Sequence, residues 1–553
     1  MRSPDNSFSK DPFPPFSSKA NAVPGAQGAP NGAAQAEAGG PLGRLAVPGS
    51  GAKMGSQSVR LGSSVVLANG YPLDQEPIIV VQNFLPSLRE SGGLPIQIDS
   101  EPDDNKSTNH LAVPCLADNE IALTTTLPDG LVQYYIERGL LSSPDQVVSF
   151  NGDLNGKRAI GFPHFDPVTL ALKERPALGD GYFVSCFTSN FIREQAEELG
   201  LKPVQQSDSF LTNDKIGFGS FAEEYGFSVC PRVVLKHRGD LERAATRFKD
   251  TPVWTKYSHA FGGDLLVKCD LPTTAVKIGA AVSRMFGSIE QATRVNDYRG
   301  VTLETLWPTG SLLPRCGGIT VEQDARYIDG FTTPGKILAT GSNLMQVNSD
   351  GTTSIKGYFE QIIGPAGDFW GSCAFDPVER FGFFMKYELE RQFKGIGRYC
   401  QEELSLFGLV GVDFMIIERP DGQIRPVMIE LNGRPPISAC SHIVGTEKLK
   451  APFWVSRYMW APNDLTSAAD FEQAVTVGNT NYARTSPTEG AIIPMYLASV
   501  THKDEQGRSE VVIKKNWAQI LVAGENKEHC AELFQMLERE KGIHFTRPNP
   551  GSW

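Results

Sequence analysis

Two alternations of apolar and polar residues, separated by a tight turn, occupy residues 411–432. Val412, Phe414 and Ile416 alternate with Asp413, Met415 and Ile417, and beyond the turn Val427, Ile429 and Leu431 alternate with Met428, Glu430 and Asn432. A period of two belongs to strands, so the stretch predicts a β-hairpin. Asp421-Gly422 reads as a two-residue turn, because the primed turn types need positive φ at both central positions and these residues tolerate it. With that turn Pro420 faces Gln423 and, seven residues farther out on each strand, Asp413 faces Glu430.

The same reading predicts strands at PIIVVQNF (from Pro77), EIALTTTL, DQVVSF and GYFVSCF, with helices at DGLVQYYIERGL and NFIREQAEELG. Strands alternating with helices indicate an α/β layer domain. Downstream, Asp214-Lys215 opens a helix that leads by a short Gly turn into the strand VCPRVVL, and VWTKYSHAFGGDLLVKC reads as strand, Gly-containing loop, strand. A helix at TTAVKIGAAVSRMF, strands at GGITVEQD and GKILATGSNLMQV, and a long helix from FGFFMKYELERQ lead into the hairpin. From Glu489 onward three strand patterns and a helix either form a closing subdomain or complete the preceding sheet. Residues 1–70 are rich in Pro, Gly, Ala and Ser with few bulky apolar groups, a composition expected to be disordered.

Composition narrows the class. A length of 553 residues suggests two to four domains, and 21% charged with 9% aromatic residues fits a soluble globular protein. A formal net charge of -11 argues against nucleic acid as the main ligand. Nine dispersed cysteines without a Cys-x-x-Cys pair read as reduced thiols. The first residues lack a signal-peptide core and no membrane-length apolar run occurs, so the expected location is cytoplasmic.

The chemistry centres on the acid pair. Opposed carboxylates about 5 Å apart repel by ~3 kcal/mol at an effective dielectric of about 20. On an exposed hairpin the two are simply hydrated; in a buried one, either one is protonated or a cation sits between them. Asn432, on the same face, offers a third oxygen, and Asp, Glu and Asn oxygens suit Mg²⁺ or Mn²⁺. Arg434 follows in a Gly-Arg-Pro-Pro turn and suggests phosphate or carboxylate chemistry. Upstream, Lys256 and Lys268 flank a loop of small residues, Ser258, Ala260, Gly262 and Gly263, whose N–H groups could approach phosphate oxygens. His259 and His442 have no partner at triad spacing, and Arg391 and Arg398 read as a solvated helix face.

On these residues the chain resembles the ATP-grasp superfamily, in which an acid on one strand and a Glu-x-Asn motif on the next hold Mg²⁺ against the phosphates of ATP. The resemblance implies metal ligation by Asp413, Glu430 and Asn432, and catalytic roles for Lys256 and Arg434. It implies nucleotide contacts from Lys215, Lys256, Ser258, Gly262, Gly263 and Glu322, with Gln323 and Asp324 supplying backbone and ribose contacts. The phosphate-contacting residue between Glu322 and Asp413 is left unassigned. The implied fold is α/β (α+β): a disordered segment 1–72, a pre-ATP-grasp α/β domain 73–205, two α+β subdomains 206–320 and 321–460 sandwiching the nucleotide, and a closing segment 461–553. The implied activity is ATP-dependent carboxylate–amine ligation through an acyl phosphate, releasing ADP and phosphate. The overall size and leading domain resemble pheganomycin-type peptide ligases, so the substrates would be an amino acid or its derivative and an amino acid or peptide. No nucleic-acid or membrane partner is implied, and a homo-oligomer is left open. A non-peptide acid, a thiol acceptor, or a non-catalytic ATP-binding regulator are the alternatives.

Overall fold

The computed structural model describes residues 78–81, 109–118, 120–125, 127–150, 182–185, 197–198, 200, 202–203, 214–237, 239–258, 266–295, 318–348, 352–364, 369–497, 500–503, 509–513 and 516–545. The expected disordered segment 1–72 and the loop residues His259, Ala260, Gly262 and Gly263 lie outside them.

The leading strands β1 (Ile78–Val81), β2 (Glu120–Thr125), β3 (Val147–Phe150), β4 (Tyr182–Ser185) and β5 (Lys202–Pro203) form a five-stranded sheet in the order β3-β2-β1-β4-β5. Every neighbouring pair is parallel. Parallel neighbours need crossovers, and helix α1 (Leu131–Glu137) lies between β2 and β3, burying Leu131, Tyr134 and Tyr135.

A second, antiparallel sheet follows helix α2 (Lys215–Glu224). It contains β6 (Arg232–Leu235), β7 (Val253–Tyr257), β8 (Leu266–Cys269) and β9 (Ile319–Gln323) in the order β6-β9-β7-β8. Helices α3 (Gly239–Arg247) and α4 (Ala275–Val295) cover it, with Ala244, Ile278 and Val282 packed on Val233, Leu235 and Val321. Because β9 is an interior strand, this sheet runs on to Gln323, past the expected division at 320/321.

The third sheet takes β10 (Lys336–Val347), β11 (Thr353–Ile363), β12 (Phe369–Ala374), β13 (Gly408–Glu418), β14 (Ile424–Asn432), β15 (Phe453–Trp460) and, beyond the two-stranded β16 (Thr476–Val477) and β17 (Thr480–Asn481), β18 (Ala491–Leu497). After a second small ladder of β19 (Val500–Lys503) and β20 (Ser509–Ile513) come β21 (Trp517–Gly524) and β22 (His544–Phe545). The nine-stranded order is β14-β13-β10-β11-β12-β15-β21-β18, with β22 on β15. Of the carboxy-terminal strands, β18, β21 and β22 join the large sheet, whereas β20 pairs with β19 in a ladder of its own. The long helix α5 (Phe383–Glu402) packs Leu389, Phe393 and Ile396 against Val410, Val412 and Phe414.

The contacts that join the antiparallel sheets include two apolar ones. Phe218, Phe221 and Ala222 of α2 enter the core that holds Phe414, Met428 and Leu431. Cys230, Ala325 and Ile328, at the ends of β6 and β9, pack with Ile417 and Val427. β13 and β14 are thereby held against α2 and the end of β9.

Candidate functional site

The hairpin of β13 and β14 forms, and Asp413 pairs with Glu430. The turn is not the two-residue one. Arg419 N–H donates to Gln423 O at 2.8 Å, so Pro420, Asp421 and Gly422 form a three-residue connection with Gly422 at φ 81°. That displaces the register by one residue, and a bulge between Asp413 and Phe414, where Ile429 is the extra residue on β14, restores it. The bulge also breaks the expected face: Val427 and Ile429 pack with Met415 and Ile417, whereas Leu431 joins Val412 and Phe414 on the other side.

Burial, and then the Glu430 carboxylate, push the Asp413 pKa up to about 7; Ser342, Gln361 and Asn432 act against the shift. Burial would raise Glu430 as well, but Lys215, Lys256 and Arg434 outweigh it and hold Glu430 below the usual carboxylate range. Lys215 Nζ lies 2.9 Å from Glu430 Oε2. The two carboxyls are thus held apart in their titration, with Lys215 on Glu430 alone and not between the pair.

Lys215 reaches Glu430 because Asp214 starts α2, its carboxylate accepting from Ile216 N–H at 3.0 Å and Gly217 N–H at 3.1 Å. Lys256 projects from β7 onto Glu322, Nζ to Oε2 2.6 Å, and Arg232 Nη1 lies 3.5 Å from the other oxygen. Burial would raise Glu322, yet these two cations hold it low; burial would lower Lys256, and Glu322 holds it high. Arg434 is buried at 8% exposure, with Nη1 donating to Pro435 O at 3.2 Å, and Asn432 is buried beside it.

The backbone N–H groups of three anticipated nucleotide contacts are used within the protein. Ser258 is fully buried: its N–H donates to Gly318 O, its hydroxyl accepts from Gly318 N–H, and its carbonyl accepts from Lys215 N–H. It is a joint between the end of β7 and the start of α2, and its N–H is not offered to a phosphate. The N–H groups of Gln323 and Asp324 donate to Pro231 O and Pro252 O. The Asp324 carboxylate is held by Arg326 Nε at 2.9 Å and Nη2 at 2.6 Å, so a ribose contact would have to displace that pair.

Arg232 is the residue that the sequence reading missed. Its guanidinium, 4% exposed, crosses α2 to donate from Nη1 to Lys215 O at 3.0 Å while facing Glu322. A Cβ at position 219 would lie 1.3 Å from Nη1, so Gly219 makes the passage. The available signal was an Arg inside the apolar run Val229–Leu235 and a Gly inside a helix.

Among the described residues no cluster of three or more His, Cys, Asp or Glu side chains could cage a metal. Asp413, Glu430 and Asn432 make a smaller donor set, two carboxylates and an amide, of the kind Mg²⁺ accepts when water and substrate phosphates complete its shell. Asp413 Oδ1 is buried without a hydrogen-bond partner, so an oxygen is available. The residues fit a divalent cation.

No family model matches the sequence, and no curated protein matches it. Solved structures similar to it include a biotin carboxylase–β-γ-ATP complex from Campylobacter jejuni, at 10% identity and a TM-score of 0.46, covering 86% of this chain and 93% of that one. Others are the Hydrogenobacter thermophilus 2-oxoglutarate carboxylase biotin carboxylase domain with MgADP (10%, 0.45, 85% and 91%) and N5-carboxyaminoimidazole ribonucleotide synthetase from Thermus thermophilus (12%, 0.44, 84% and 98%).

Proposed function

We propose that this chain is an ATP-grasp carboxylate–amine ligase, with an amino acid or its derivative as the acid and an amino acid or peptide as the amine. The observation that carries the reading is the convergence of Lys215 and Lys256, from the smaller antiparallel sheet and its helix, with Arg434 on Glu430, which stands opposite Asp413. Residues 73–205 would be the pre-ATP-grasp domain.

Held by Asp413, Glu430 and Asn432, Mg²⁺ or Mn²⁺ would neutralise charge on the phosphoryl oxygens. The chain's own cations do the rest. Lys256, kept charged by Glu322, faces the phosphates, and Lys215 joins it from the start of α2. The substrate carboxylate oxygen bonds to the γ-phosphorus as the β–γ bridging bond breaks, and ADP leaves with that electron pair. Arg434 supplies a fixed positive charge to the acyl phosphate. The amine then attacks the acyl carbon, phosphate departs with the C–O electron pair, and the amine proton passes to solvent.

ADP release from ATP with Mg²⁺, measured across amino acids and short peptides for the parent and Glu430→Gln, tests the reading. Substrate-dependent ADP that disappears in Glu430→Gln supports it. AMP and pyrophosphate as products would overturn it.

A further inference from the structure

We propose that Lys215 is a resident counter-ion of the metal site, occupying Glu430 in the nucleotide-free protein and yielding it when nucleotide phosphates arrive. The proposal rests on the metal site of the preceding section and adds an order of binding: divalent metal enters with the nucleotide and not before it.

Three observations carry it. First, the Lys215 ammonium lies 2.9 Å from Glu430 Oε2, with side chains only 15% and 22% exposed, so it is a contact pair on one of the proposed metal-binding oxygens. Second, the base of the arm is fixed and its ammonium sits at the end of a long side chain. Lys215 N–H donates to Ser258 O at 3.1 Å and Lys215 O accepts from Arg232 at 3.0 Å. The backbone is clamped from both sides, and four side-chain torsions remain to carry the ammonium elsewhere. Third, Glu430 already has its counter-charge: Lys215 pairs with it, and Lys256 and Arg434 also act on it. A divalent cation must displace the Lys215 ammonium to take that oxygen. A triphosphate attracts the lysine and leaves Glu430 to the metal.

The test uses Mn²⁺ alone on the full chain, followed by electron paramagnetic resonance of free Mn²⁺, with and without a non-hydrolysable ATP analogue. Lys215→Met and Lys215→Gln should each bind Mn²⁺ at least fivefold more tightly than the parent in the absence of nucleotide, and adding Glu430→Gln should cancel the gain. The nucleotide-free parent should bind Mn²⁺ weakly and the analogue should tighten it. If both Lys215 variants bind Mn²⁺ no better than the parent while the analogue still creates a Glu430-dependent site, the counter-ion role is overturned and the metal site stands. If no Glu430-dependent Mn²⁺ binding occurs even with the analogue, the metal site itself is wrong, and the counter-ion role falls with it.

Discussion

Asp413 and Glu430 are opposed because two single-residue irregularities cancel: the three-residue connection at 420–422 moves the register one way and the bulge at Ile429 moves it back. The bulge also sharpens the local twist where β14 passes toward Arg434. The acids therefore share a face with Met415 and Val427, away from the core that α5 covers.

A pH dependence follows from Asp413. Its folded pKa, about 7, stands above the ordinary value of 3.8. Between those values the folded chain keeps a proton that the unfolded chain has lost, so this group's contribution to stability falls as pH rises from about 4 to about 7 and is flat above. Asp413→Asn should remove that decline in the metal-free, nucleotide-free protein. Melting temperatures of parent and variant across this range decide it; parallel profiles would refute it.

Gly219→Ala tests the passage of Arg232. The added methyl would overlap the guanidinium, which must give up Lys215 O or Glu322. Charge-assisted hydrogen bonds of this kind contribute about 1.5–3 kcal/mol, so a loss of roughly that size is expected in urea denaturation. Nucleotide affinity should drop in the same variant, since either Lys215 or Glu322 loses its contact with Arg232. Unchanged affinity in a destabilised Gly219→Ala would reduce Arg232 to a purely structural role.

Four of the first sheet's strands, β1 to β4, were legible as short apolar runs, whereas β5, only Lys202–Pro203, was not, and the helix start at Asp214-Lys215 was legible as a cap. The hairpin was legible from period two, although the bulge that splits Val427 from Leu431 was not, because alternation cannot show where one residue is skipped. Strands β11, β12 and β15 were missed: Thr353–Ile363 mixes Lys356, Glu360 and Gln361 with its apolar residues, since part of it faces the site. The contacts of Arg232 and Ser258 were hidden for another reason. Their partners, Gly219, Lys215 and Gly318, belong to other elements, and only folding reveals which N–H or carbonyl is already used.

Lys448 fastens the leading region to the large sheet. Its Nζ donates to Leu116 O at 2.6 Å and Leu140 O at 2.5 Å, although burial lowers its pKa. Lys448→Met leaves both carbonyls without this donor and should cost about 2 kcal/mol of stability. A parent-like urea midpoint would show that water replaces the ammonium without loss.

The pair Lys256–Glu322 separates stability from nucleotide binding. Glu322 is 3% exposed and sits between Lys256 and Arg232. Glu322→Gln leaves two cations facing a neutral amide and should cost about 3–5 kcal/mol, the range for breaking a buried pair. Lys256→Met is milder, because Arg232 still faces the acid. The double variant removes the remaining mismatch only in part, so a double-mutant cycle on stability should give a coupling of about 1–3 kcal/mol. Binding of an ATP analogue should behave differently: if Lys256 faces phosphate, affinity lost in Lys256→Met stays lost in the double variant even as stability recovers. Affinity that returns together with stability would mean that the pair only braces β7 against β9.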